Sequence, residues 1–139
     1  MPQVIDTTMS VAHLEFSPLG VLLGGRPWNL SYYELARFAA PNLMAGNVLL
    51  VKHSSSVPQC ALPFAQLFTD AGAPCGVYTN LFVSSDQAGK LLDDPRTKGV
   101  ALTGSEHAGE STAVTTACGR SLILKAGTEQ IARCSSAVG

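Results

Sequence analysis

The run Val48-Leu49-Leu50-Val51 is unbroken apolar sequence that stops at Lys52, with Pro58 close behind. A strand with one wet face alternates apolar and polar side chains. A continuous apolar run is the pattern of a strand covered on both faces, as in a parallel sheet. The same order of elements recurs on either side. Upstream, Val21-Leu22-Leu23 lies between Gly20 and Gly24 and is followed by the breaker Pro27-Trp28-Asn29. Ser31 and Glu34 have capping-box spacing, which predicts a helix start there. Leu35, Phe38, Ala39 and Leu43 then recur at three- and four-residue steps and give that helix one apolar face. Pro41 is expected to kink or shorten it, and Gly46 to cap its end.

Downstream, Ser56 followed by Pro58 predicts a second helix start. That helix carries Leu62, Ala65 and Phe68 and is expected to stop at Gly72. Residues 77–83 read as a strand. Ser84 and Gln87 repeat the capping-box spacing ahead of a short helix through Leu91 and Leu92. Val100-Ala101-Leu102 reads as a strand running into Thr103-Gly104-Ser105, then a helix with Val114 and Ala117. Leu122-Ile123-Leu124 reads as a fifth strand. Strand and helix alternating in this way imply right-handed crossovers and an open, mostly parallel sheet with helices on both faces. Ligands bind such sheets beyond the carboxyl ends of the strands. That directs attention to residues 26–29, 52–56, 84–87 and 103–109.

The composition narrows the function classes. The chain has 139 residues, 46% hydrophobic and 14% charged, with a net charge of -1. One domain of that size buries roughly two thirds of its unfolded surface, so disorder is not expected. Nine basic residues face ten acidic ones, so no basic excess exists to neutralise nucleic-acid phosphates. No stretch approaches the ~20 apolar residues of a membrane span. Residues 1–10 lack the basic and apolar regions of a secretion signal, which points to a cytoplasmic chain. Cys60, Cys75, Cys118 and Cys134 match no zinc spacing and read as reduced thiols. No metal site is expected, and His53, without a partner at ligand spacing, reads as a loop histidine.

Several residues at the strand ends have chemistry to offer. Gly104-Ser105-Glu106-His107-Ala108-Gly109 follows a strand and opens a helix. Free N–H groups and the positive dipole end favour a phosphate there, while the plainer alternative is an ordinary helix cap. The G-x4-G spacing overlaps a P-loop, but Glu110 and Ser111 stand where that motif needs lysine and Ser/Thr, so a nucleotide triphosphatase is rejected. The G-x-G-x-x-G fingerprint is absent as well. Lys52 can reach ribose hydroxyls or phosphate at the sheet edge, or be a solvated strand-end lysine. The Asn29 amide can donate to a developing oxyanion, or form an Asx turn. Trp28 reads as a packing anchor. No Ser/His/Asp set is readable, and Cys134 in Ala132-Arg133-Cys134-Ser135-Ser136 reads as an incidental thiol near the terminus.

The motifs in order resemble the NAD(P)-dependent aldehyde dehydrogenases. They are Ser17-Pro18-Leu19-Gly20-Val21, Pro27-Trp28-Asn29, Ala39-Ala40-Pro41-Asn42-Leu43-Met44-Ala45-Gly46-Asn47, Leu50-Val51-Lys52-His53, Asp70-Ala71-Gly72-Ala73-Pro74 and Val100-Ala101-Leu102-Thr103-Gly104-Ser105. The Lys-His pair is most similar to the bacterial succinate-semialdehyde branch. The resemblance implies that Asn29 is the oxyanion donor and that Lys52 holds the adenosine ribose. It implies that Gly104 and Ser105 meet the pyrophosphate, and it puts Trp28 among the cofactor-binding residues. Ser55 sits where many NAD enzymes of this family carry a glutamate. A serine does not repel a 2′-phosphate, so NADP or NAD is the expected cofactor. Departures are also visible. Ser31 replaces the proline usual after the Asn motif, and beyond Ser121 the match fails, with Leu124-Lys125-Ala126-Gly127-Thr128-Glu129 where the family has Glu-Leu-Gly-Gly.

The expected fold is therefore α/β, a partial Rossmann-like parallel sheet with helices on both faces. Residues 1–16 form a lead-in, 17–121 a partial NAD(P)-binding domain, and 122–139 a divergent tail. The expected function is oxidation of a small aldehyde to an acid with hydride transfer to NAD(P). The chain on its own is expected to be inactive, because the family's base and cysteine nucleophile find no match in it. The alternatives are a non-catalytic nucleotide-binding or interaction module that pairs with a full-length relative, and a translated remnant without function.

Overall fold

A computed structural model describes residues 3–6, 11–14, 17–29, 31–105, 121–126 and 129–134. A small antiparallel pair, β1 (Gln3–Asp6) and β2 (Val11–Leu14), precedes the main sheet. The main sheet holds β3 (Val21–Arg26), β4 (Val48–His53), β5 (Tyr78–Leu81), β6 (Thr97–Gly104), β7 (Ser121–Ala126) and β8 (Glu129–Cys134). Its order is β5-β4-β3-β6-β7-β8; the first five are parallel and β8 is antiparallel to β7. Helices α1 (Ser31–Met44), α2 (Pro58–Asp70) and α3 (Ser85–Asp93) lie in the connections. The α/β class and the two-sided parallel sheet expected from the sequence are thus the observed architecture. The order of strands reverses between β3 and β6, and such a reversal opens a crevice at the carboxyl ends of the two strands.

The continuous apolar runs do cover both faces. On one face Leu22, Leu49, Val51 and Tyr78 pack with Leu35, Phe38, Ala39 and Phe64 from α1 and α2. On the other, Leu23 and Val100 pack with Leu92 of α3. β3 runs on through Gly24 and Gly25, where the sequence suggested an end. The two glycines are used for close approach: a Cβ on Gly24 would stand 2.6 Å from the Phe38 ring, and one on Gly25 would overlap Leu102. β4 likewise continues through Lys52 to His53.

Helix ends follow the expected signals in part. Past Gly46, with φ of 86°, the Asn47 N–H donates to Asn42 O and the Gly46 N–H to Leu43 O. These are the paired bonds of a Schellman end. The same pattern closes α2 at Gly72, where Ala73 N–H reaches Phe68 O and Gly72 N–H reaches Thr69 O. Ser84 and Gln87 form a reciprocal capping box on α3. α1 begins at Ser31 as expected, but the predicted box is not what starts it. The Ser31 hydroxyl donates to Trp28 O at 2.9 Å, and Glu34 turns inward to Arg26. α2 starts with Pro58 at its first turn and Val57, not Ser56, at the cap, without a side-chain bond. Pro41 sits inside α1, which continues through it to Met44. The strand expected at 77–83 is the shorter β5, and the helix expected around Val114 and Ala117 lies outside the described residues.

Candidate functional site

The residues singled out by sequence gather at one edge. Trp28 and Asn29 lie exposed in the turn after β3, Lys52 near the end of β4, Ser55 exposed in the turn after β4, and Gly104 and Ser105 at and after the end of β6. Register places Lys52 beside Gly25, and Gly25 beside Leu102. Side chains alternate along a strand, so Lys52, Gly25, Leu102 and Gly104 share the α3 side of the sheet. The half-buried Lys52 ammonium donates to the His53 carbonyl at 3.4 Å. The remaining residues of this rim, Ser54, Ser55, Ser56 and Ser105, are hydroxyl-bearing and none is a carboxylate. One cation among several hydroxyl donors is a set suited to ribose and phosphate oxygens.

Beneath the rim, on the α1 and α2 side, lies a polar layer whose members fall partly in the segments singled out by sequence but were not joined into one group there. Arg26 is buried, 5% of its side chain exposed. Its Nη1 donates to Thr103 Oγ1 at 2.9 Å and its Nη2 to Ala101 O at 3.3 Å. Glu34 Oε2 stands 3.7 Å from Nη1, and the guanidinium carbon lies 4.2 Å from the centre of the Phe38 ring. Burial pulls the Arg26 pKa down to about 10, with Glu34 acting the other way, so the group stays cationic at neutral pH. The one available signal was chemical: Arg26 is the only charged residue of an otherwise apolar strand, and charges in such places are paired.

His53 corrects an expectation. It is not a loop residue but the last residue of β4, buried, with its Nε2 3.2 Å from Asn80 Oδ1. Only an N–H can serve that oxygen, so Nε2 carries the proton; the Asn80 amide in turn donates to the Ala61 carbonyl of α2. Nδ1 is buried without a protein partner. Burial lowers the His53 pKa below 6.5, the Asn80 bond opposes this, and Arg26 and Lys52 add to it. A base whose folded pKa is lowered binds fewer protons folded than unfolded, so stability is lost as pH falls below 6.5 toward the folded value. Thermal melting at about pH 7.5 and about pH 5 is expected to show that loss in the native chain and a smaller one in His53→Gln.

Among the described residues no cluster of His, Cys, Asp or Glu is placed to hold a metal ion, and no helix is long and apolar enough to cross a membrane. Cys60 and Cys75 are free thiols; the side chain of Cys134 lies outside the described residues.

The model of the aldehyde dehydrogenase family matches residues 2–131. The chain belongs to the aldehyde dehydrogenase family. An NADP(+) succinate-semialdehyde dehydrogenase of Deinococcus radiodurans is 50% identical over 112 residues, which are 81% of this chain and 24% of that protein. A probable succinate-semialdehyde dehydrogenase of Synechocystis is 47% identical over 109 residues, 78% of this chain and 24% of its own. The solved succinic semialdehyde dehydrogenase of Streptococcus pyogenes, in complex with NADP+, superposes with a TM-score of 0.84 at 38% identity, covering 91% of this chain and 28% of that one. This aldehyde dehydrogenase chain thus spans about a quarter of the length of the relatives it matches.

Proposed function

We propose that this chain supplies dinucleotide-binding machinery of an NADP-linked aldehyde dehydrogenase of the succinate-semialdehyde kind, with NAD as the second cofactor it accepts. The observation that supports the reading is that Asn29, Lys52, Ser55, Gly104 and Ser105 all lie at the carboxyl edge of the adjacent strands β4, β3 and β6, which flank the reversal of strand order. Two relatives named for NADP(+) support the choice of cofactor.

The residues present fit the cofactor, because the rim is cationic and rich in hydroxyls. Lys52 holds the adenosine ribose. Gly104 and Ser105 receive the pyrophosphate, and Ser55 leaves the 2′-phosphate unopposed. Trp28 flanks the cofactor from the β3 turn. Asn29 donates its amide to the oxyanion that develops on the aldehyde carbon. A bound nicotinamide would supply the hydride acceptor. Residues 17–121 form the cofactor-binding part, with 1–16 as lead-in and 122–139 as a tail, and the chain works in the cytoplasm on a small aldehyde. The reaction also needs a cysteine nucleophile and a carboxylate base. Neither is assigned to a residue here, so the 139-residue polypeptide alone is expected to form no NADPH from succinate semialdehyde.

Fluorescence titration tests the reading. The native chain is expected to bind NADPH and NADH. Ser55→Glu adds a like charge near the 2′-phosphate, worth about 1–2 kcal/mol at a partly screened site, so NADPH binding weakens roughly tenfold while NADH is unaffected. Failure of the native chain to bind either nucleotide would sink the proposal. A second reading, a module that pairs with a full-length relative, draws on the exposed apolar side chains Leu62, Leu67 and Phe82 and on the edge position of β5. Co-purification with a longer dehydrogenase, with no nucleotide binding by the chain itself, is the result that would favour it.

A further inference from the structure

We infer that Arg26 is a positioning residue for the cofactor: its side chain spans the floor of the crevice and, through Thr103, fixes the Gly104–Ser105 turn. The backbone of β3 pairs with β6 only as far as Gly25 opposite Leu102. At Arg26 the backbone still pairs with β4, opposite His53, and its carbonyl accepts from the Ser54 N–H at 3.0 Å. Beyond Gly25, then, β3 and β6 are tied by a side chain, with Arg26 bonded to both Thr103 Oγ1 and Ala101 O.

Thr103 is the residue immediately before Gly104; the backbone there pairs with β7 through Gly104 opposite Ala126, while on the β3 side the Thr103 hydroxyl is the last tie before the turn assigned to the pyrophosphate. Thr103 also lies 3.5 Å from Glu34 Oε2, to which its hydroxyl donates, and Glu34 sits in the first turn of α1. One buried group thus links the two lips of the crevice, the β3–α1 turn bearing Asn29 and the β6 end leading to Ser105. The apolar surroundings hold that group in place. Phe38 stacks beneath the guanidinium and is itself seated on Gly24, whose missing side chain makes room for the ring. A buried fork held by ion pair, ring and two acceptors has little rotational freedom, which suits it to set a spacing.

This inference rests on the dinucleotide reading above, and the test separates the two. NADPH affinity is measured for the native chain, Thr103→Val, Thr103→Ser, Arg26→Met and Arg26→Met/Thr103→Val, each at a temperature well below its melting point. Amide exchange at Gly104 and Ser105 is followed in the same proteins without nucleotide. Thr103→Val and Arg26→Met are each expected to weaken binding about tenfold, the scale of one lost charge-assisted hydrogen bond. The double variant should be no weaker than either single one, because the two act through one link, and Thr103→Ser should restore native binding. Amide exchange at the turn should speed up in the weakened variants and not in Thr103→Ser. Should Arg26→Met fail to fold, the valine and serine variants at position 103 carry the comparison alone. Native affinity and native exchange in Thr103→Val would overturn the positioning role. Absence of binding by the native chain overturns the dinucleotide reading and this inference with it, whereas unchanged binding across the variants overturns this inference alone.

Discussion

Glu34→Leu is expected to cost about 3–5 kcal/mol of folding stability, because it leaves a buried guanidinium without its counter-charge. Arg26 and Glu34 are 5% and 10% exposed at their side chains, so water compensates little of the loss. Burial already depresses the Arg26 pKa to about 10, well below the ordinary value of an arginine. Below about 10 the folded state carries the cost of a buried cation; above that value the unfolded chain, with its higher pKa, binds the extra proton and relative stability rises with pH. Removing Glu34 deepens the cost in the neutral range. The double change Arg26→Met/Glu34→Leu removes both charges and is expected to recover most of the loss, since apolar replacements of a buried pair are often neutral in stability. Urea denaturation of the two variants beside the native chain measures both effects. A single variant as stable as the native chain would show that Arg26 finds water or another partner.

Leu49→Ala is expected to destabilise the fold by about 2–5 kcal/mol, the range for truncating a fully enclosed leucine. Leu49 has no exposed surface and lies on β4 between Leu22 of β3 and Tyr78 of β5. Around it the rings of Phe64, Phe68 and Tyr78 pack against one another, with Phe68 and Tyr78 stacked at 4.8 Å. Such interlocked rings collapse poorly into a void, so the cavity persists and the upper part of the range applies. Burial also raises the Tyr78 hydroxyl pKa, which keeps that group neutral and adds no charge to the damaged core. Leu62→Ala on the outer side of α2 is the control. Its side chain is largely exposed, and the change is expected to stay within about 0.5 kcal/mol. Equal midpoints for the two variants in denaturant would contradict the two-sided packing of β4.

The parts of the fold legible in the sequence were those with a local cause. Continuous apolar runs such as 48–51 and 100–102 report burial on both faces, and both became strands. Gly46 and Gly72 announce helix ends because they take positive φ. The capping box at Ser84 is satisfied within four residues of chain. What misled were signals whose meaning depends on distant partners. Gly24 and Gly25 resemble strand breakers, yet they are there to admit Phe38 and Leu102. Glu34 has the spacing of a cap but answers to Arg26, which the β3–α1 turn brings near it. Ser56 precedes Pro58 as a cap would, while the chain enters α2 through Val57. For the site, Asn29, Lys52, Ser55, Gly104 and Ser105 could be named because they fall at strand ends and in recognisable motifs. The layer of Arg26, Thr103, His53 and Asn80 could not be assembled, although the first three fall in the strand-end segments, since its members lie on four strands and meet only once their register is known.

The account turns on whether a dinucleotide occupies the crevice where the strand order reverses. The most direct measurement is a two-dimensional amide spectrum of the chain titrated with NADPH. The account predicts saturable shifts at Lys52, Ser55, Gly104 and Ser105, with residues of α3 and the far end of the sheet left in place. Shifts confined to other surfaces, or a spectrum unchanged by excess NADPH, would contradict it.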